Sequence, residues 1–80
     1  MGYHKKEICE GVVGEFSKIQ EEFEELSDAF EQNDKILQIC ELSDLIGAIE
    51  EYSLTKFNIT LQDLIDFSNK TKEAFRENSR

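Results

Sequence analysis

Eighty residues carry 18 Asp and Glu against nine Lys and Arg, a net charge of −9, with no proline and only two cysteines. That length admits one domain, 1–80, which buries little of its own surface and needs close helix packing, a metal or a second subunit to be stable. The acidity argues against general nucleic-acid or anionic-membrane binding. No apolar run nears the roughly 20 residues of a membrane span, and no stretch reads as a secretory signal. Cys9 and Cys40 share neither a CxxC nor a Cys/His spacing, so reduced thiols in a cytoplasmic protein are expected.

Residues 1–10 read as a loosely ordered lead-in, and His4 within it as incidental. From about Gly11 the apolar residues Val12, Phe16, Ile19, Phe23, Leu26 and Phe30 follow one another in steps of four and three, a helical seam ending near Gln32. Asn33 suits a left-handed helix end and Asp34 the cap of the next helix. That second helix is expected from Lys35 to about Lys56, with Ile39, Leu42, Leu45, Ile46, Ile49 and Tyr52 on its apolar face. Gly47 and Ala48 are small enough to admit a close neighbour. Asn58 and Ile59 break the chain. Thr60 and Asp63 resemble a capping box, opening a third helix from Leu61 to about Glu77 with Leu61, Leu64, Ile65, Ser68 and Phe75 inward. No segment alternates with period two, so the expected fold is all-α: an antiparallel helical hairpin plus a closing helix.

Two acidic words carry the chemistry. Glu22 and Glu25 form one, Glu41 and Asp44 the other, each with two carboxylates three residues apart and therefore on one helix face. On a helical wheel Glu22 and Glu41 lie roughly 75–80° from their apolar stripes, and Glu25 and Asp44 roughly 135–140°, in the same rotational sense. An antiparallel hairpin then lets both pairs line one cleft, with Ala29 and Ala48 leaving room beside them. Four converging carboxylates repel unless a cation sits among them, and hard divalent ions with oxygen ligands in turn hold phosphates. Glu24, Asp28 and Glu31 fall on the outer face and read as solvated charge.

Positive charge is gathered elsewhere. Residues 1–54 hold four Lys against fourteen Asp and Glu, whereas residues 55–80 hold five Lys and Arg against four acids. Lys70, Lys72, Arg76 and Arg80 supply the second sign of charge that a phosphate-binding site needs. Tyr52, Phe57 and Phe67 read as core or subunit-contact residues.

The words Glu-Glu-x-x-Glu (Glu21, Glu22, Glu25) and Glu-x-x-Asp, within GEFSKIQEEFEELSDAFEQ and ICELSDLIGAIEEY, resemble the MazG-type branch of the all-α nucleoside triphosphate pyrophosphohydrolases, especially small bacteriophage members. The resemblance runs from about Tyr3 to Arg80. It implies a homodimer, or a tetramer made of two such dimers, with a four-helix bundle core. Mg²⁺, or Mn²⁺ in its place, would be held by Glu22, Glu25, Glu41 and Asp44. Glu21, Glu22 and Glu25 would be the candidates for handling the attacking water, with Lys18 nearby. The closing helix departs from the family's Asn-x-Lys-Phe: here it reads Asn69-Lys70-Thr71-Lys72. Asn69 and Lys72, with Lys70 and Arg76 behind them, are the expected phosphate or sugar contacts. The implied reaction takes a (d)NTP and water to (d)NMP and pyrophosphate. The alternatives are a non-catalytic acidic interaction module, whose carboxylates would face outward, and a nucleotide-binding relative without turnover.

Overall fold

The computed structural model describes residues 4–78, with side chains from 4 to 76. Among these residues the chain forms three helices and no strand: α1 (Phe16–Glu31), α2 (Lys35–Phe57) and α3 (Leu61–Asn78). Arg80, counted above with the basic residues, lies outside the described residues.

The turns follow the local chemistry. Asn33 adopts φ 60°, its N–H bonding Phe30 O at 3.0 Å, while Asp34 N–H reaches Ala29 O at 3.2 Å. This pair of bonds closes the last carbonyls of α1 in a Schellman arrangement. Asp34 also caps α2, its Oδ1 accepting Leu37 N–H at 2.9 Å. One residue thus ends one helix and starts the next, which makes the hairpin tight. Asn58 closes α2 at φ 56°. Thr60 and Asp63 exchange reciprocal bonds, Asp63 N–H to Thr60 Oγ1 at 3.1 Å and Thr60 N–H to Asp63 Oδ2 at 3.3 Å, so the capping box forms.

The start of α1 differs from the sequence expectation. The helix begins at Phe16, and residues 12–15 form a turn closed by Glu15 N–H to Val12 O at 2.9 Å. Gly14 causes the break: its φ is +87°, and it is buried where a Cβ would stand 2.9 Å from Thr55 Oγ1 of α2. Val12 is therefore not part of the helical seam.

Packing inside the hairpin is small and polar. Ala29 and Ala48 are buried and let α1 and α2 approach, and the other buried side chains are Glu22, Asp28, Glu41 and Ser53. Ile19, Leu26, Leu45, Ile49 and Tyr52 are half-buried, with the Phe16 and Tyr52 rings meeting edge-on at 5.9 Å. The rest of the expected core lies open within this single chain. Phe16, Phe23 and Phe30 on α1 and Ile39, Leu42 and Ile46 on α2 are each about half or more exposed, the largest being Phe30 at 69 %. A helical wheel identifies an apolar stripe but not what covers it.

Among the described helices, α3 packs only on α2. Leu61 and Leu64 are half-buried there, whereas Ile65, Ser68 and Phe75, expected inward, are exposed. Phe57 and Phe67 are also exposed, and nothing stands within contact distance of a Cβ built on Gly47.

Candidate metal centre

The two acidic words meet. Because Glu22 and Glu41 flank their stripes on the same side, the hairpin turns them toward each other at its interior, where they are only 6 % and 5 % exposed. Glu22, Glu41 and Asp44 can each offer one oxygen to a common point, all within 4.8 Å of one another, and Glu21, Glu22 and Glu25 can do the same. Glu25 is half-buried and Asp44 is exposed at the mouth. All four carboxylates expected as ligands are therefore in one place.

Their charge is incompletely matched. Lys18 Nζ lies 2.9 Å from Glu21 Oε1 and 3.2 Å from Glu22 Oε2. Glu22 Oε1 and Glu41 Oε1 are buried with no hydrogen-bond partner. A buried carboxylate oxygen without a donor is costly, and native structures rarely keep one unless an ion or water completes it. Burial, and then the negative charges of Glu22 and Glu41, push the Glu25 carboxyl up to about 8. Such a site attracts a cation. The donor set, oxygens from four carboxylates, suits a hard divalent ion such as Mg²⁺ or Mn²⁺.

Glu21 sits beside Lys18 at the edge of this group. Its Oε1 accepts both Gly11 N–H and Lys18 Nζ at 2.9 Å. Although burial opposes ionisation, these donors hold its carboxyl below the usual range. Glu21 therefore anchors the incoming chain and orients Lys18, which makes it a weak proton acceptor.

Two residues read as incidental from the sequence belong to this centre. Asp28, expected on the solvated face, is 2 % exposed, because the segment preceding α1 crosses over it. Its Oδ2 accepts Lys5 N–H at 2.9 Å, Gln32 Nε2 at 2.9 Å and His4 Nδ1 at 3.0 Å. His4, in turn, places Nε2 3.0 Å from Glu41 Oε2 and 4.0 Å from Glu25 Oε1. Burial works against protonation of His4, but the carboxylates of Asp28 and Glu41 outweigh it and raise its pKa. The lead-in is accordingly tied down over residues 4–11, with Lys6 also pairing Glu31 at 3.0 Å. No periodicity marks such a strap; a lone histidine in an acid-rich chain was the available signal.

Beside the carboxylates opens a cleft of about 980 Å³, lined by His4, Glu21, Glu25, Cys40, Glu41 and Asp44 among others. That volume lies at the upper end of the usual range for small-molecule sites. The expected phosphate contacts are not brought to it within one chain. Asn69, Lys70, Lys72 and Arg76 are exposed on α3 and are absent from the cleft's lining. Cys9 and Cys40 are exposed, free thiols. No helix of the described residues is long and apolar enough to cross a membrane.

Comparison of the chain with protein-family models, with curated proteins and with solved structures gives no match.

Proposed function

We propose that this chain is a Mg²⁺-dependent nucleoside triphosphate pyrophosphohydrolase, converting a (d)NTP and water to the (d)NMP and pyrophosphate. The observation that carries the reading is the pair of orphaned carboxylate oxygens, Glu22 Oε1 and Glu41 Oε1, buried on two facing helices within a group of four carboxylates. An acidic interaction module would display its charge outward, whereas these two residues are nine-tenths buried. Mn²⁺ is the natural substitute for Mg²⁺ at such a site.

Glu22, Glu25, Glu41 and Asp44 are the residues that would hold the ion. A bound divalent ion supplies charge neutralisation on the phosphates and a more acidic water. Glu25 lines the cleft, with Glu22 buried behind it, and these two are the better candidates for accepting a water's proton. Glu21 keeps Lys18 beside them, where the ammonium would meet a phosphate oxygen. The water oxygen bonds to phosphorus, the anhydride between the α and β phosphates breaks, and pyrophosphate leaves. Positioning and electrostatics dominate such chemistry.

The working unit in this reading is a homodimer, or a tetramer made of two dimers. The exposed face of Phe16, Phe23, Phe30, Ile39, Leu42 and Ile46 would be covered by its own copy, giving a four-helix bundle. The helix α3 of the second copy would bring Asn69, Lys70, Lys72 and Arg76 to the phosphates.

The test is pyrophosphate release from a panel of dNTPs and NTPs with Mg²⁺, comparing the native chain with Glu41→Gln. The expected outcome is Mg²⁺-dependent release from at least one nucleotide, lost in the variant. Nucleotide binding without release would instead identify a binding protein, and neither binding nor release by folded, metal-loaded protein would overturn the reading.

A further inference from the structure

We propose that His4 is a metal ligand, and that with Glu25 and Glu41 it forms a mixed nitrogen–oxygen position which takes a divalent transition metal in preference to Mg²⁺. This inference rests on the carboxylate-centre reading above and adds to it a donor from outside the two acidic words.

The geometry is that of ligands waiting on a common ion. His4 Nε2 lies 3.0 Å from Glu41 Oε2 and 4.0 Å from Glu25 Oε1. The three side chains each offer an atom to one point, all within 4.8 Å. Two donors at about 2.1 Å from a metal, at right angles to each other, are separated by about 3 Å; a wider angle gives up to about 4 Å. The two spacings of His4 Nε2, from Glu41 and from Glu25, therefore fall within an ion's coordination sphere.

The other ring nitrogen strengthens the case. His4 Nδ1 bonds Asp28 Oδ2 at 3.0 Å. Metal-bound histidines commonly donate their second N–H to a carboxylate, which fixes the tautomer and ring orientation. Asp28 is itself immobilised by Lys5 N–H and Gln32 Nε2 on the same oxygen. The imidazole is thus held edge-on, with Nε2 directed at the acids. An independent observation points to a missing ligand here: Glu41 Oε1 is buried and unpartnered, although Glu41 Oε2 meets His4.

Chemistry then selects the ion. Imidazole is a borderline donor that suits Fe²⁺, Co²⁺, Ni²⁺ and Zn²⁺, whereas Mg²⁺ favours oxygen ligands and gives up water reluctantly. Glu41 is shared between this position and the all-oxygen group of Glu22, Glu41 and Asp44, so one carboxylate would bridge a transition-metal position and a Mg²⁺ position.

The experiment titrates Co²⁺ and, separately, Mg²⁺ into the native chain, His4→Gln and Glu41→Gln, with proton NMR of the Co²⁺-loaded forms. Helix content by circular dichroism checks that each variant folds. The expected result is a hyperfine-shifted, exchangeable imidazole N–H resonance in the native chain that His4→Gln lacks. Co²⁺ affinity should fall tenfold or more in His4→Gln, while Mg²⁺ affinity changes less than threefold. Co²⁺ binding of native strength in His4→Gln, or no shifted imidazole resonance in the native chain, overturns the proposal yet leaves the carboxylate site standing if Glu41→Gln abolishes binding. Absence of any divalent-ion binding in the native chain sinks both.

Discussion

Lys18 Nζ stands 3.2 Å from Glu22 Oε2, one helical turn away, and leaves the other oxygen of that buried carboxylate without a partner. Lys18, itself shared with Glu21, and His4 are the basic groups that face a set also containing Glu25, Glu41 and Asp44. The metal-free centre holds more negative charge than its own cations match. Replacing one buried carboxylate by its amide should relieve this. Glu22→Gln is expected to stabilise the metal-free chain by about 1 kcal/mol, roughly 4–8 °C in Tm at this length. If the site holds Mg²⁺ as proposed, the ion should raise the Tm of the native chain, and the same variant should lose that rise. Thermal melts at fixed protein concentration, with Mg²⁺ and with chelator, decide it; an unchanged Mg²⁺ response in Glu22→Gln would remove this residue from the ligand set.

The centre also sets a pH dependence with a definite sign. Glu25 is raised from 4.5 to about 8 by burial and by its neighbours Glu22 and Glu41. A carboxyl raised on folding contributes stability below its unfolded value and loses it as pH climbs toward the folded one. His4, raised above 6.5 against the effect of burial by Asp28 and Glu41, acts in the same direction. Asp28 and Glu21 act oppositely: burial raises both, but the donors Lys5, His4 and Gln32, and Gly11 and Lys18, lower them overall. Their contribution is present above the unfolded carboxyl range and is lost in acid. The metal-free chain should be most stable near pH 5–6 and weaken toward pH 8. Bound Mg²⁺ should flatten the alkaline limb, since it displaces the Glu25 proton, and calorimetry in buffers of different ionisation enthalpy should register that proton's release below pH 8.

Much of this was legible in the residues. Asn33, Asp34, Thr60 and Asp63 each announce a helix end by a local rule, and the structure keeps all four in those roles. The convergence of Glu22, Glu25, Glu41 and Asp44 also follows from wheel angles, because both acidic words flank their stripes alike. Asp28 and His4 escaped for one shared reason. A wheel describes a helix alone, and Asp28 is buried by a non-periodic strap whose path depends on Gly11 and Glu21 meeting at 2.9 Å. The wheel places Phe23 and Ile46 on apolar stripes, but it does not say whether any surface covers them, and in the single chain both are exposed.

That uncovered face yields its own prediction. Phe23 on α1 and Ile46 on α2 are 60 % and 52 % exposed in the single chain, and contiguous apolar surface of this kind usually marks an interface. The native chain is expected at twice its 9.3 kDa mass or a multiple of it by light scattering. Phe23→Asp or Ile46→Asp should give a monomer that melts at least several degrees lower. A native chain that is monomeric at tens of micromolar would remove the four-helix bundle from the proposed working unit.

Two glycines, Gly14 before α1 and Gly47 inside α2, should respond oppositely to the same substitution. Gly47 lies inside α2 with open space around an added Cβ. Alanine there should stabilise the helix by up to about 1 kcal/mol, the usual helical penalty of glycine. Gly14 combines φ +87° with Thr55 Oγ1 at 2.9 Å from an added Cβ, so Gly14→Ala should destabilise by about 1–3 kcal/mol through backbone strain and crowding. The second effect reaches the site, because Gly14 fixes the turn from which the strap runs back to Asp28 and Glu41. Gly14→Ala should therefore weaken metal binding as well as stability, whereas Gly47→Ala should leave metal affinity alone. A Gly47→Ala variant that instead loses the dimer would reveal a second subunit packed against that stretch of α2.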